Sequence, residues 1–287
     1  MEATGAPVEF DGQIWVPRSG SVVRVDAGSL KADTVIELEG FGPGVLEVEG
    51  GALWVRTDSG TARLDTETGT VAASNDRGYD SLATVGGRLF GTSDADLYEL
   101  DPETAEDLGK VELPLNSNGS EYEVVWTPLV ADGETMWVTV GADGWQFTAW
   151  DPESGLFGSS ERVVNDTVAA VVVGDRIWLS DRYGEITVLD TASGAEVDVA
   201  VVLPIGETIL DSVGSLFAGP DQSLWLLDQP RQMVFQLDPH TGATLGSFHL
   251  SSRPSTMTVT ASDLWIANSD GGVTVVPRTA LTPPAAG

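Results

Sequence analysis

The residues best suited to chemistry in this 287-residue sequence are arginines, aspartates and aromatic residues that recur at similar offsets along the chain. Arginine can hold a carboxylate through two parallel hydrogen bonds, and exposed tyrosine or tryptophan can stack on sugars and side chains. Cysteine is absent, which excludes disulfides, thiolate metal sites and cysteine nucleophiles. These residue types suit a mixed-charge, aromatic-lined surface that binds a peptide, a glycan or an anionic small molecule.

The candidate binding residues follow recurring tryptophans at similar distances or lie in the segments that lead to the next repeat. Seven of the 14 basic residues fall in these segments, and aspartates alternate with them. Arg162, Arg253, Tyr79 and Tyr122 belong to the same segments. The principal candidates are Arg18, Arg56, Asp58, Arg77, Asp94, Asp143, Trp145, Asp181, Arg182, Tyr183, Asp228, Arg231 and Asp270.

A purely structural interpretation of these residues stays open beside the functional one. Pairs such as Arg56 with Asp58, or Asp181 with Arg182, can tie loops together, and surface ion pairs contribute little free energy. Aspartate also favours turns for local reasons. A ring of aspartates can alternatively hold Ca²⁺, which prefers six to eight oxygen ligands, and a structural ion is then favoured over a catalytic one. No other cofactor is expected, and catalytic residues are not assigned.

The elements that position these residues belong to one repeated unit of about 40 residues, a spacing typical of propeller blades. An apolar–aromatic–apolar triplet marks each copy of the unit. The aromatic residues of the seven triplets are Trp15, Trp54, Phe90, Trp137, Trp178, Trp225 and Trp265.

A short β-rich run ending in aspartate follows six of the seven triplets, and a turn comes after it. DTETG from Asp65 and DPHTG from Asp238 show its chemistry: aspartate caps the backbone and glycine accepts a positive φ. Such a turn closes a hairpin, so each unit predicts four short antiparallel strands. The sequence therefore predicts an all-β, seven-bladed β-propeller over residues 1–277, followed by a Pro/Ala/Gly-rich tail or linker at 278–287. The outer strand of the seventh blade must come from Met1–Gly5, come from Arg278–Leu281 or be missing. We expect one terminus to supply it, with the N-terminal segment favoured.

The charge balance narrows the class of partner. There are 44 acidic and 14 basic residues, a formal net charge of −30. Such a surface repels nucleic acid and anionic membranes, opposes self-association and suits a cation or a basic partner. No apolar run is long enough to insert into a membrane. We expect a monomer from a bacterial exported or cell-surface protein, with any anchor or signal outside this chain.

Residues 8–277 resemble the bacterial quinoprotein-like propellers with YVTN-type repeats, through units such as DRIWLSDRYGEITVLDTASGAEV from Asp175. The resemblance implies that loops entering the first strand of a blade share one face with loops between its second and third strands. That face surrounds the central channel and is the usual binding side. The segment AGPDQSLWLLD from Ala218 is also similar to streptogramin lyase repeats.

Two departures from these families bear on catalysis. Streptogramin lyases use a histidine and a divalent metal on the central face, whereas His240 falls in a predicted turn and His249 on a predicted outer strand. The tryptophan docking motif of quinone-dependent dehydrogenases is absent. The preferred hypothesis is therefore a non-catalytic scaffold or partner-binding domain for a protein or glycan. The alternative is a lyase or hydrolase with a divalent metal at the channel mouth.

Overall fold

The structure is a computed structural model that describes residues 3–26, 28–39, 42, 44–114, 122–124, 128–141, 145–158, 167–181, 185–199, 201 and 214–283, without the side chains of residues 145, 168 and 214. The chain forms seven antiparallel sheets in sequence order, with one short helical turn among the described residues. The predicted seven-bladed β-propeller is therefore confirmed. No helix in the described part of the chain has the length and apolar character needed to cross a bilayer.

Blades 1 to 4 lie in the first of two compact units, residues 2–163. Blades 1 to 3 each have four strands in chain order from inside to outside. The first strand of blade 4 is in two parts, β13 and β14, which both pair with β15. The strands are β1 (Val8–Phe10), β2 (Gln13–Arg18), β3 (Ser21–Asp26), β4 (Lys31–Glu37), β5 (Val45–Glu49), β6 (Ala52–Thr57), β7 (Gly60–Asp65), β8 (Thr70–Asn75), β9 (Ser81–Val85), β10 (Arg88–Ser93), β11 (Asp96–Leu100), β12 (Asp107–Lys110), β13 (Glu123–Val124), β14 (Val130–Asp132), β15 (Thr135–Gly141), β16 (Trp145–Asp151) and β17 (Leu156–Phe157).

Blades 5 to 7 lie in the second unit, residues 164–287. Blade 6 has four strands, and blades 5 and 7 have three each among the described residues. In blade 5 the place of an outer strand is taken by residues 195–197, where Glu196 bridges Leu189 of the third strand. The strands are β18 (Thr167–Val173), β19 (Arg176–Asp181), β20 (Ile186–Asp190), β21 (Gly214–Ala218), β22 (Leu224–Asp228), β23 (Met233–Leu237), β24 (Thr244–His249), β25 (Pro254–Val259), β26 (Asp263–Asn268) and β27 (Val273–Pro277).

The recurring aromatic residue of the second strand fills the space between neighbouring blades, as its size predicts. All seven of these side chains are at most 2% exposed. In blade 2, Trp54 packs in one cluster with Leu82 and Leu89 of blade 3. The triplet thus marks the inner core of each blade, and its repetition gives the fold.

The aspartate turns close the outer hairpins as the sequence predicts. Asp65 accepts hydrogen bonds from the backbone N–H groups of Glu67 and Thr68, each at 2.9 Å, and Gly69 has a φ of +71°. Those hydrogen bonds lower the pKa of Asp65. The same capping occurs at Asp101, Asp151, Asp190 and Asp238.

The seventh blade departs from the expected closure. Arg278–Ala280 forms a single 3-10 turn, and Thr282 then bridges Ser247 on the outer strand of blade 6. The C-terminal alternative for the outer strand of blade 7 is therefore wrong. At the other terminus, Thr4 donates a hydrogen bond to the carbonyl of Pro17 in blade 1 at 2.9 Å, and Met1 and Glu2 lie outside the described residues.

Candidate functional site

The strand register brings the predicted loops of a blade to one end. In blade 2, Val45 at the start of β5 pairs with Arg56 near the end of β6, and Arg56 pairs with Thr61 at the start of β7. The loop that enters the blade and the turn between its second and third strands therefore lie together. We call this end of each blade its mouth end.

Arg56 is fixed at the mouth end of blade 2 by two elements. Its Nε and Nη2 donate to the two carboxylate oxygens of Glu47 at 2.8 and 2.5 Å, a bidentate pair. Its Nη1 donates to the carbonyl of Tyr79, in the loop entering blade 3, at 2.7 Å. The Arg56 side chain is only 10% exposed. Arg56 thus links blades 2 and 3, and its partner is Glu47 instead of Asp58.

Asp80, in the loop entering blade 3, interacts with the charge of Arg56 and with two further carboxyl groups. Partial loss of hydration raises the pKa of Asp80, and the charges of Asp94 and Asp58 raise it further, whereas Arg56 opposes the shift. Asp58 and Asp94 lie exposed in the turns that follow β6 and β10. Their side chains make no hydrogen bond or ion pair within the described residues. We call Glu47, Arg56, Asp58, Asp80 and Asp94 the mouth cluster: Arg56 pairs with Glu47, and the charges of Arg56, Asp58 and Asp94 act on Asp80.

Glu49 lies two residues beyond Glu47 on β5, away from the mouth end. Burial raises the pKa of Glu49 to about 7, and the neighbouring charge of Glu47 adds to that effect. The backbone N–H of Thr84, on the inner strand of blade 3, donates to the Glu49 carboxylate at 2.7 Å and partly stabilises its charged form. Glu49 is therefore an acid whose charge changes near neutral pH.

Arg77 has a structural role on blade 3. Its Nε lies 2.9 Å from Asp107 on the outer strand β12, and its guanidinium lies 4.1 Å from the ring centre of Tyr98. Tyr79 crosses the same face of the blade, where its hydroxyl donates to Asp107. A Cβ added at Gly91 would lie 2.6 Å from the Tyr79 ring, so only glycine at that position leaves room for it.

The two mouth-loop tyrosines differ in exposure: Tyr79 belongs to the core, whereas Tyr122 is half-buried. Tyr79 is 3% exposed. Burial, followed by its hydrogen bond to Asp107, raises the pKa of Tyr79. Tyr122 contacts Phe157 edge-on, with ring centres 5.2 Å apart. The expectation that Tyr79 lines a binding surface is therefore wrong, and the same expectation for Tyr122 stays a prediction.

The aspartates at the mouth ends of blades 5 to 7 cap their own turns. Asp181 accepts the backbone N–H of Glu185 at 2.8 Å, and Asp270 accepts that of Gly272 at 2.9 Å. Asp228 is 0% exposed and accepts both the backbone N–H and the guanidinium of Arg231 at 3.0 Å. For these residues the structure supports the local interpretation of aspartate in turns.

For the remaining candidates the structure gives only a position and an exposure, or they lie outside the described residues. Arg18 ends β2 and is partly exposed, and Arg253 is exposed in the loop entering blade 7. Asp143, Arg162, Arg182 and Tyr183 lie outside the described residues, as does the side chain of Trp145. No group of three or more His, Asp or Glu side chains in the described ranges is arranged to hold a metal ion. The calcium hypothesis stays a prediction.

Sequence reasoning missed Glu47, Glu49 and Asp80. From Leu46 to Glu49 the strand β5 alternates apolar and acidic residues, which directs both glutamates to one face. That period of two was the available signal. No sequence pattern marks Asp80, because its importance comes from the approach of blade 3 to Arg56.

Comparison with known proteins identifies the fold and no family. No family model and no curated protein matches the chain. Among solved structures, BamB from Moraxella catarrhalis is similar at 18% identity and a TM-score of 0.61, over 95% of this chain and 84% of that one. Hydrazine synthase from Kuenenia stuttgartiensis is similar at 13% identity and a TM-score of 0.68, over 94% and 93% of the two chains. A chain of a mitotic checkpoint complex is similar at 14% identity and a TM-score of 0.69, over 96% and 88%.

Proposed function

We propose that the chain is a non-catalytic scaffold or partner-binding propeller that engages a protein through the mouth ends of its blades. The observation that carries this proposal is the mouth cluster, in which four carboxyl groups accompany a single guanidinium that is already paired with Glu47. The exposed carboxylates Asp58 and Asp94 are left to meet a partner. The similar structures include both a hydrazine synthase and a chain of a checkpoint complex, so the fold does not choose between catalysis and binding.

The chemistry of the mouth cluster favours a basic protein segment over a glycan. A lysine or arginine side chain pairs with a carboxylate through a charge-assisted hydrogen bond and the attraction of opposite charges, whereas a neutral sugar offers hydroxyl donors but no positive charge. The net charge of −30 adds long-range attraction for a basic partner. We also propose that the repeats are of the YVTN/quinoprotein-like type and that the chain is a monomer. We further propose that it belongs to a bacterial exported or cell-surface protein. A lyase or hydrolase with a divalent metal at the mouth stays the alternative hypothesis.

Binding of a fluorescent tetra-arginine peptide to the full chain tests the proposal. We expect the double variant Asp58→Asn/Asp94→Asn to weaken binding about 3- to 10-fold, since each exposed charge pair contributes about 0.2–1 kcal/mol. Neither side chain has a hydrogen-bond partner among the described residues, so folding should be unchanged. Fluorescence anisotropy at fixed ionic strength measures the effect.

A matched control separates the mouth from the overall charge. Glu67 and Glu103 are exposed in the aspartate turns of blades 2 and 3, at the other end of the same sheets. The variant Glu67→Gln/Glu103→Gln removes two charges and should leave peptide affinity within about 2-fold. Equal loss in both double variants would mean that only the net charge attracts the peptide, and the mouth proposal would then be wrong.

A further inference from the structure

The outer edge of blade 7 differs from the edges of the other six blades. In blades 1, 2, 3, 4 and 6 the third strand is covered by an outer strand, and in blade 5 residues 195–197 take that place. In blade 7 the third strand, β27, has no further strand paired with it among the described residues. The internal repeat thus shows what normally occupies this edge: a short antiparallel strand.

The chain that would return along β27 is led to blade 6 instead. After Pro277, Arg278 pairs with Asp221 of blade 6 at 2.6 Å and lowers the pKa of Asp221 to about 2. The Arg278 guanidinium also lies 5.3 Å from the ring centre of Trp225. Thr282 and Ser247 then exchange two backbone hydrogen bonds of 3.0 Å, which adds the tail to the outer strand of blade 6. These contacts fix the tail away from the edge of β27.

The backbone groups that face the edge can be identified from the hydrogen bonds at both ends of β27. The backbone N–H of Arg278 donates to the carbonyl of Ser262 at 2.9 Å. The backbone N–H of Asn268 donates to the carbonyl of Gly272 at 2.8 Å. In an antiparallel pair, residues alternate between bonding the neighbouring strand and facing away from it. Thr274 and Val276 therefore bond β26, whereas the N–H and C=O groups of Val273 and Val275 face outward.

Pro277 fits the same alternation. Its position also faces outward, where a missing N–H removes no bond to β26, and proline is tolerated on edge strands for this reason. The edge therefore presents two N–H groups and their carbonyls between Gly272 and Pro277. Unpaired backbone groups of this kind are a template for another strand.

We propose that the β27 edge binds an extended segment of a partner protein by β-strand addition. The outer strands of the sister blades indicate the form of that segment: a short extended strand such as β4, in which Thr34–Ile36 are all β-branched. A net charge of −30 opposes a second copy of this chain and favours a segment with basic residues. This surface is separate from the mouth cluster and does not depend on the function proposed for it.

Amide hydrogen exchange on the full chain provides the first test. We expect the amides of Val273 and Val275 to exchange rapidly, and those of Thr274 and Val276 slowly, because only the latter pair bonds β26. The probe is a synthetic peptide with the sequence of Lys31–Glu37 in which Asp33 and Glu37 are replaced by lysine. At concentrations up to about 1 mM the peptide should slow exchange at Val273 and Val275.

Variants at one position then separate strand addition from other binding. Val275→Pro removes an outward N–H without a bond to β26, and it should weaken peptide binding about 10-fold or more. Val275→Thr keeps the N–H and should bind within about 2-fold of the parent chain. A peptide with proline at its centre should not bind, and this control stands even if Val275→Pro destabilises the blade.

Three results would overturn the inference. The first is slow exchange at Val273 and Val275 in the free protein at all concentrations, which would mean that the chain fills its own edge. The second is protection that grows with protein concentration together with a dimer in sedimentation equilibrium, which would make a second copy the occupant. The third is no peptide-dependent protection, or equal binding by Val275→Pro.

Discussion

The pKa values of individual carboxyl groups in this protein shift in opposite directions, and each shift has an identifiable physical cause. The turn aspartates accept backbone N–H groups in the folded state, which lowers the pKa of Asp65 and of its counterparts. These aspartates stabilise the fold above their ordinary pKa of 3.8. That stabilisation is lost as the pH falls through their lower pKa values in the folded state. Glu49 behaves in the reverse manner, because burial beside Glu47 raises its pKa to about 7.

The opposite shift of Glu49 predicts a pH dependence at mildly acidic to neutral pH. Between its ordinary pKa of 4.5 and about 7 the folded state binds more protons than the unfolded state, so stability falls as the pH rises through this window. Glu49→Gln should remove that slope and raise the free energy of unfolding at pH 8 by on the order of 2 kcal/mol. Urea denaturation at pH 5, 6, 7 and 8 measures it.

The exposed Glu67→Gln is the control for Glu49→Gln, since it changes the same chemical group without burial. It should leave the pH profile unchanged. A parent chain whose stability is flat from pH 5 to 8, or a Glu49→Gln variant with an unchanged slope, would show that Glu49 is better hydrated than its position indicates.

At the scale of the element, comparison of the aspartate turns identifies a strained backbone position in blade 1. Gly69 and Gly242 occupy the left-handed position of their turns, whereas Leu30 has a φ of +54° and is 50% exposed at that position in blade 1. Leu30→Gly should stabilise the protein by about 0.5–1 kcal/mol, because the relieved strain exceeds the cost of the freer unfolded chain. Chemical denaturation at pH 7 measures the change.

The reciprocal change in blade 2 is the matched comparison. Gly69→Ala should cost about 1 kcal/mol through backbone strain, since the nearest atom to the added Cβ, Thr34 Cγ2, lies 3.5 Å away and does not clash. A destabilising Leu30→Gly would instead show that packing of the Leu30 side chain outweighs its strained backbone.

The elements themselves were predictable from the sequence because their causes are local. An aromatic ring every 40 or so residues fills the interblade space at Trp54 or Trp178, and an aspartate at Asp65 or Asp238 caps its own turn. Neither feature needs a distant partner to be recognised. The blades therefore follow from short-range patterns, and their number follows from counting those patterns.

The site was less predictable because its residues depend on contacts between elements. Arg56 pairs with Glu47 since the register of β5 and β6 brings them together, and the sequence alone favoured the nearer Asp58. Whether an aspartate is free or caps its turn depends on backbone geometry, so Asp94 and Asp228 looked equivalent although only Asp228 is buried with a partner. The path of the tail to blade 6 rests on Arg278 and Asp221, which no repeat pattern links.

For the whole molecule, the net charge of −30 should make the folded state more stable as the salt concentration rises. Like charges repel more strongly in the compact state than in the expanded chain, and the Debye length shortens from about 30 Å at 0.01 M to about 8 Å at 0.15 M. Screening should therefore raise the melting temperature by about 2–4 °C for each kcal/mol gained. Thermal unfolding in 10 to 150 mM NaCl at pH 7 measures it.

Protonation offers an internal control for this effect, because it removes the charge that salt screens. Near pH 4 many carboxyl groups are neutral, so the same salt increase should change the melting temperature less than at pH 7. A melting temperature that falls with salt at pH 7 would mean that pairs such as Arg56–Glu47 and Arg278–Asp221 outweigh the repulsion. The rise expected at pH 7 would instead show that these pairs offset only part of the repulsion, which leaves an unbalanced negative surface for a basic partner to neutralise.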